Sequence, residues 1–482
     1  MGTTAARWVL LATVLGSGVA FLDGTIVNVA LPAIAEDLDA TLGDLQWVLN
    51  AYLVTLSAFV LLGGSLGDRY GRKRVFLLGL GGFTVASIAC GLAPTVGILI
   101  AARAVQGLGA ALLVPGSLAI IAAVFDPEDR ARAVGAWSGL GGIASAIGPF
   151  VGGYLVDSVS WRVAFLVNVP MAVAVVFASR HVPESQSPTV GHLDLPGALT
   201  ASVGLALGTY GLIESVPMVG VLGVVTLVAF LVIEARSPGP MLPLALFRNR
   251  QFSGANGTTL AVYAALSGAF FLLVLQLQVV LGYSALEAGA ALLPVTLLML
   301  ALSARAGALA QRIGPRLPMT VGPLGVAAGL VLWSRVDAGS TYIGTVLPGA
   351  VVFGLGLSLT VAPLTATIMA STDDEHLGAA SGVNNAVARL AGLIAVAILP
   401  LAVGLNTSGP PSALDRGVDQ AMLVSAALAA VGGLIAYATV RRGAIVATPT
   451  QASPAFQPCG HPCLATDDAA DDDATDDDAE VA

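Results

Sequence analysis

Gly64-Ser65-Leu66-Gly67-Asp68-Arg69-Tyr70-Gly71-Arg72-Lys73 and Gly307-Ala308-Leu309-Ala310-Gln311-Arg312-Ile313-Gly314-Pro315-Arg316 are two copies of one short loop, with glycine, leucine, arginine and glycine recurring in register. Each copy lies between apolar runs of about 20 residues, the length of helix needed to cross the hydrocarbon of a bilayer. A charged, glycine-punctuated loop repeated at corresponding places of two halves is the mark of a membrane transporter built from structural repeats.

The rest of the chain agrees. Of 482 residues, 56% are hydrophobic and 11% charged, against about 25% charged in a soluble domain. Apolar runs are read as spans at about 8–30, 45–66, 75–93, 98–120, 133–156, 163–180, 196–215, 218–234, 255–281, 288–309, 318–335, 341–365, 380–404 and 420–440. The first is too long and too polar for a cleaved leader, and no small-residue cleavage site follows it. The fold class expected is all-α integral membrane, with 14 transmembrane helices.

Basic residues set the orientation. Arg7, Arg69, Arg72, Lys73, Arg74, Arg130, Arg132, Arg180, Arg236, Arg248, Arg250, Arg312, Arg316, Arg441 and Arg442 fall on the side of the N-terminus, and only Arg162, Arg335 and Arg416 on the other. Both termini are therefore expected in the cytoplasm. The net charge of −9 belongs to nine acidic residues between Asp467 and Glu480; without them 21 basic and 21 acidic residues remain. That tail is Pro-, Ala- and Asp-rich and is expected to be disordered. Its Cys459 and Cys463 fit neither a redox pair nor a zinc site, and with Cys90 they suggest no disulfide framework.

Gly64–Phe76 (GSLGDRYGRKRVF) resembles the loop signature of the major facilitator superfamily, and Leu99–Ala111 (LIAARAVQGLGAA) resembles its span-4 pattern. Ala144–Gly153 (ASAIGPFVGG) is similar to the span-5 antiporter pattern, with Ala144 in place of its first glycine. Leu22–Ile34 (LDGTIVNVALPAI), together with Trp161-Arg162 and Asn168-Val169-Pro170, resembles the fourteen-span drug:proton antiporters. The resemblance implies a major facilitator fold with an N-terminal six-helix half (1–180), a linker with two extra helices (181–250), a C-terminal six-helix half (251–440) and the tail (441–482). It implies proton-coupled export of amphipathic drugs, antibiotics or small metabolites by alternating access. An importer or uniporter of a small organic solute is the alternative, since it shares the fold.

The residues support this on physical grounds. In the first loop, Gly64, Gly67 and Gly71 allow tight turns, and Asp68 can pair with Arg69, Arg72 or the other half as a latch on the cytoplasmic gate. A positive-inside anchor is the plainer reading, but it needs no acid. In span 5, Gly135, Gly139, Gly141, Gly142, Gly148, Gly152 and Gly153 leave a face for close helix approach, and Pro149 bends the helix. Ordinary packing would use the same residues.

Ionisable residues inside spans are costly and usually functional. Asp23 lies roughly 22 Å from the cytoplasmic edge of span 1, and Arg103 roughly 8 Å below the outer edge of span 4, so their depths agree. An ion pair is expected, with Asp23 as a protonation switch: neutral, it is cheap to bury, and ionised, it seeks Arg103 or a cationic substrate. Arg389, deep in span 13, and Arg312 are second-half candidates. Arg305 is expected to snorkel inward, and Glu214, Glu234 and Glu287 are read as rim residues. Asn28, Asn50, Tyr52, Gln106, Asn256, Gln276, Gln278, Asn384 and Asn385 are polar groups that either line a cavity or bond between helices. Asn28 and Gln106 are assigned to the coupling site with Asp23 and Arg103.

No phosphate-binding GxxxxGK[ST] loop occurs, and the one lysine is Lys73. An ATP-driven pump is thus excluded, and the spans hold no clustered His, Asp or Glu for an enzyme. The expected cofactor is none beyond the proton gradient. The expected partners are a small-molecule substrate and the lipid bilayer, with no nucleic acid, for a monomer in the plasma membrane.

Overall fold

The computed structural model describes residues 4–186, 194–240, 242–372, 377–405 and 411–441. The acidic tail with Cys459 and Cys463 lies outside these, as do the surroundings of Gly135, Gly139 and Gly142. The described chain runs as α1 (Thr4–Leu38), α2 (Leu42–Tyr70), α3 (Arg72–Gly91), α4 (Val96–Val124), α5 (Pro127–Ser158), α6 (Trp161–Leu166), α7 (Asn168–Ser179), α8 (Leu195–Ile213) and α9 (Pro217–Arg236). It continues as α10 (Arg250–Val279), α11 (Ala285–Ala291), α12 (Leu293–Ile313), α13 (Arg316–Trp333), α14 (Leu347–Met369), α15 (Leu377–Ala402) and α16 (Pro411–Thr439). Among the described residues, thirteen stretches are long and apolar enough to cross a membrane. The 32-residue α5, rich in glycine and with charges in its first turns, makes the fourteenth.

Two spans are broken where the sequence suggested none. Span 6 divides into α6 and α7 at Val167, and span 10 into α11 and α12 at Leu292. Both follow from proline. Pro170 and Pro294 lack the N–H that would bond the carbonyl four residues earlier, so the helix reopens there. The same cause acts before Pro348, where a π-helical turn at Tyr342–Val346 leads into α14.

Helix ends are set locally. Thr41 opens α2 with a reciprocal cap, accepting from the Asp44 amide at 3.2 Å while Asp44 accepts from the Thr41 amide at 2.9 Å. Ser284 and Glu287 form the same box at α11. A single residue, Gly71, joins α2 to α3 with φ of 107°, a conformation that disfavours any side chain.

Packing repeats with an offset of eight spans. α2 and α3 lie along α4 and α1 along α5; likewise α12 and α13 lie along α14 and α10 along α15. The extra pair, α8 and α9, pack on each other and touch α2 and α15 through α8. Contact at α2 and α4 is backbone to backbone: a methyl on Gly63 would sit 2.1 Å from the Ala111 carbonyl oxygen, and one on Gly107 2.4 Å from that of Tyr52. In lipid, where apolar burial drives little, such approach of small residues holds helices together. The outward faces stay apolar, as with Leu78 and Val85 on α3 and Met218, Val221 and Val224 on α9.

Candidate functional site

Asp23 and Arg103 meet. α1 and α4 place them so that Arg103 Nη1 lies 2.6 Å from Asp23 Oδ2, and each residue is 1% exposed. The same Nη1 donates to Gln106 Oε1 at 2.6 Å, one helical turn along α4, and Arg103 Nε donates to the Val48 carbonyl at 3.0 Å. Its guanidinium lies over the Tyr52 ring at 4.4 Å and near that of Phe165 at 5.8 Å.

The second carboxylate oxygen is held as well. Asp23 Oδ1 accepts from Gln106 Nε2 at 2.9 Å and from Asn168 Nδ2 at 3.0 Å. Ser87 Oγ accepts from Gln106 Nε2 at 3.2 Å and from Asn168 Nδ2 at 2.8 Å, and donates to the Phe165 carbonyl at 2.8 Å. Five side chains from α1, α3, α4 and the start of α7 thus form one buried, charge-neutral network around one carboxylate. The carboxylate is thus held by one charge-assisted bond and two amide donors at once. The network ties the mutual position of four helices to one carboxylate.

Sequence reasoning missed Ser87 and Asn168. Asn168 stood in a quoted motif, and the signal for its role was Pro170: the break it makes frees the turn that turns Asn168 inward. Asn28 is not brought to this site, since its Nδ2 donates to the Gly24 carbonyl of its own helix at 3.0 Å. Asn50 and the Tyr52 hydroxyl are buried without a hydrogen-bond partner among the described residues.

At the first loop, Asp68 pairs with Arg72, Oδ1 lying 2.8 Å from Nη2 and 2.9 Å from Nε. Arg69 lies over the Tyr70 ring at 5.6 Å, and Gly64 faces Pro115. A residue outside the motif, Glu184, accepts from the Lys73 amide at 3.0 Å, and the Arg72 amide donates to the Ser185 carbonyl at 2.9 Å. The segment after α7 therefore lies on the loop, directly beside Gly71. Arg312 sits in the last turn of α12.

Gly148 and Gly152 receive Thr25 and Ile26 of α1, and Gly153 and Pro149 receive α11. A methyl on Gly153 would lie 2.4 Å from the Ala285 carbonyl oxygen, and one on Gly289 2.2 Å from that of Pro149. One turn beyond Gly153, Asp157 accepts from the Ala285 and Leu286 amides at 3.0 and 2.7 Å, capping α11 across the contact. Gln278 Nε2 donates to the Val29 carbonyl of α1 at 3.0 Å. These contacts lie along the second halves of α1 and α5 and the start of α11.

Of the rim residues, Glu214 accepts from Trp47 Nε1 at 3.0 Å. Glu287 caps α11 as described. Glu234 corrects the reading: it is 2% exposed, and its Oε2 accepts from the Leu242 amide at 2.9 Å. Arg305 is exposed and donates to the Ala301 carbonyl at 3.1 Å.

The chain as a whole is similar to known proteins. Multidrug resistance protein Stp of Mycobacterium tuberculosis (strain CDC 1551 / Oshkosh) is 36% identical over 423 residues, 85% of this chain and 78% of that protein. The tetracenomycin C resistance and export protein of Streptomyces glaucescens is 35% identical over 410 residues, 81% and 74% of the two chains. The puromycin resistance protein pur8 of Streptomyces alboniger is 34% identical over 412 residues, 83% and 82%. Among solved structures, a bacterial homolog of the human lysosomal transporter Spinster, inward-facing and unoccupied, superposes with a TM-score of 0.66 at 16% identity, covering 91% of this chain and 98% of that one. A D-xylose–proton symporter does so with 0.64 at 14%, covering 90% and 98%. These two speak to the fold alone. The Major Facilitator Superfamily profile matches residues 13–396, and with fourteen spans, repeated packing and a repeated loop in agreement, the chain belongs to that superfamily.

Proposed function

We propose that this chain is a proton-driven exporter of amphipathic drugs, antibiotics or small metabolites, working by alternating access in the plasma membrane with both ends in the cytoplasm. The observation that carries the reading is the buried network in which Asp23 accepts from Arg103, Gln106 and Asn168. It supplies one protonatable group whose charge is balanced in place, as a coupling site needs. The relatives, named as resistance or export proteins, favour export over import. The asymmetry of basic residues supports the orientation.

In this reading the halves 1–180 and 251–440 rock about their shared contacts, with 181–250 as an inserted pair. A proton from outside neutralises Asp23, the hold of the guanidinium and amides on it weakens, and α1 moves more easily against α4 and α7. Release of the proton inside re-forms the network. Asp68 and Arg72 serve the cytoplasmic gate, while Gly148, Pro149, Gly152 and Gly153 seal the outer side against α1 and α11. The test is Asp23→Asn in proteoliposomes with an imposed pH gradient. The expected result is folded protein without gradient-driven efflux of a fluorescent dye such as ethidium that the wild type exports. Efflux at the wild-type rate would overturn the proposal.

A further inference from the structure

Arg389 stands midway along the 26-residue α15, where an arginine is costly unless something negative answers it. Arg103, the other arginine at such depth, has Asp23. Arg389 has no carboxylate within salt-bridge distance and no hydrogen-bond partner among the described residues. What it faces is aromatic. Its guanidinium lies 5.9 Å from the Phe21 ring of α1; Ala386, one turn before it, packs in one apolar cluster with Tyr52 of α2, and the half-buried Tyr263 of α10 packs against the same cluster as Val387. Four helices, two from each half, converge there.

Tyr52 supplies the second observation. It is 2% exposed, its ring is covered by Arg103, and its hydroxyl has no hydrogen-bond partner among the described residues. A buried O–H left unpaired is costly, and so is a guanidinium at mid-span with no anion to answer it. Both are donors. The group that satisfies both is an acceptor with negative charge, and the rings around it suit a flat apolar body.

We infer that Arg389, with the Tyr52 hydroxyl, binds the anionic group of an aromatic or otherwise amphipathic weak acid, a carboxylate or phenolate, between the halves. The export reading is taken over here and narrowed to its substrate class. Phe21 and Tyr263 flank the apolar body. The pair Asp23–Arg103 is neutral within itself, so the positive field at the site is that of Arg389, and a neutral or cationic molecule gains nothing from it. Arg103 covers the Tyr52 ring at 4.4 Å, which places the anion site one side chain away from the proton site.

The test uses binding, with no gradient, so that it stands apart from transport. Purified full-length protein in lipid nanodiscs is dialysed to equilibrium against 2-naphthoate or its neutral amide, 2-naphthamide, which share shape and apolar area. Wild type is expected to bind the acid at least about tenfold more tightly, the factor that about 1.4 kcal/mol represents. Arg389→Gln should bring the acid down to the level of the amide, and Tyr52→Phe should lose part of the preference. The comparison within wild type needs no variant to fold. Equal affinity for the two probes, no binding of either, or an acid preference kept by folded Arg389→Gln would each overturn the inference. Acid binding with failed efflux would instead remove the export reading and leave the anion site standing.

Discussion

Replacing Arg103 by alanine removes the counter-charge of a carboxylate whose side chain has 0% exposure. Asp23 then keeps two neutral donors, Gln106 Nε2 at 2.9 Å and Asn168 Nδ2 at 3.0 Å. A buried pair broken from one side costs about 3–5 kcal/mol. Asp23→Asn alone is milder, about 1–2 kcal/mol at the level of one weakened hydrogen bond, because an amide oxygen still accepts from Arg103, and Val48 and Gln106 still hold the guanidinium. The decisive quantity is the sign of the second substitution. In wild type Asp23→Asn should destabilise, whereas in Arg103→Ala it should stabilise, since it exchanges an unpaired buried charge for a neutral amide. A coupling of about 2–3 kcal/mol is expected for residues in one network. The assay is equilibrium unfolding of purified protein in mixed micelles by a denaturing detergent, for wild type, both single variants and the double. Additivity within about 0.5 kcal/mol, with Asp23→Asn destabilising in both backgrounds, would refute the idea that the two charges depend on each other.

Two further outcomes are expected at the gates. Asp68→Ala, which frees Arg72, should slow turnover more than it weakens substrate binding, and unchanged turnover with a large loss of affinity would show a binding role instead. Gly153→Leu introduces a side chain where a methyl alone would lie 2.4 Å from the Ala285 carbonyl oxygen, so folded protein should leak dye across the outer seal. A variant that stays tight and transports normally would mean that α5 and α11 part there at no cost.

The sequence by itself determined the class and layout of this protein, because transfer of a side chain into hydrocarbon has a cost that adds residue by residue along the chain. The number of spans, the basic asymmetry about them, the repeated loop and the matching depths of Asp23 and Arg103 all follow from such local sums. Partners across helices follow from rotation and tilt, which no local sum contains. Asn28 and Asn168 illustrate this. Both are asparagines of the same first half, yet Asn28 bonds its own helix while Asn168, 145 positions from Asp23, reaches it. The difference lies in the break at Val167, whose cause was visible as Pro170 but whose direction only the packed bundle set. Glu184 on the loop, Asp157 across the outer contact and the buried Glu234 likewise owe their places to chain that returns from elsewhere. An unanswered Arg389 was visible in the sequence as a charge in a span; that it meets the Phe21 ring, and no acid among the described residues, was decided by tertiary structure, because only there do α1, α2, α10 and α15 come together.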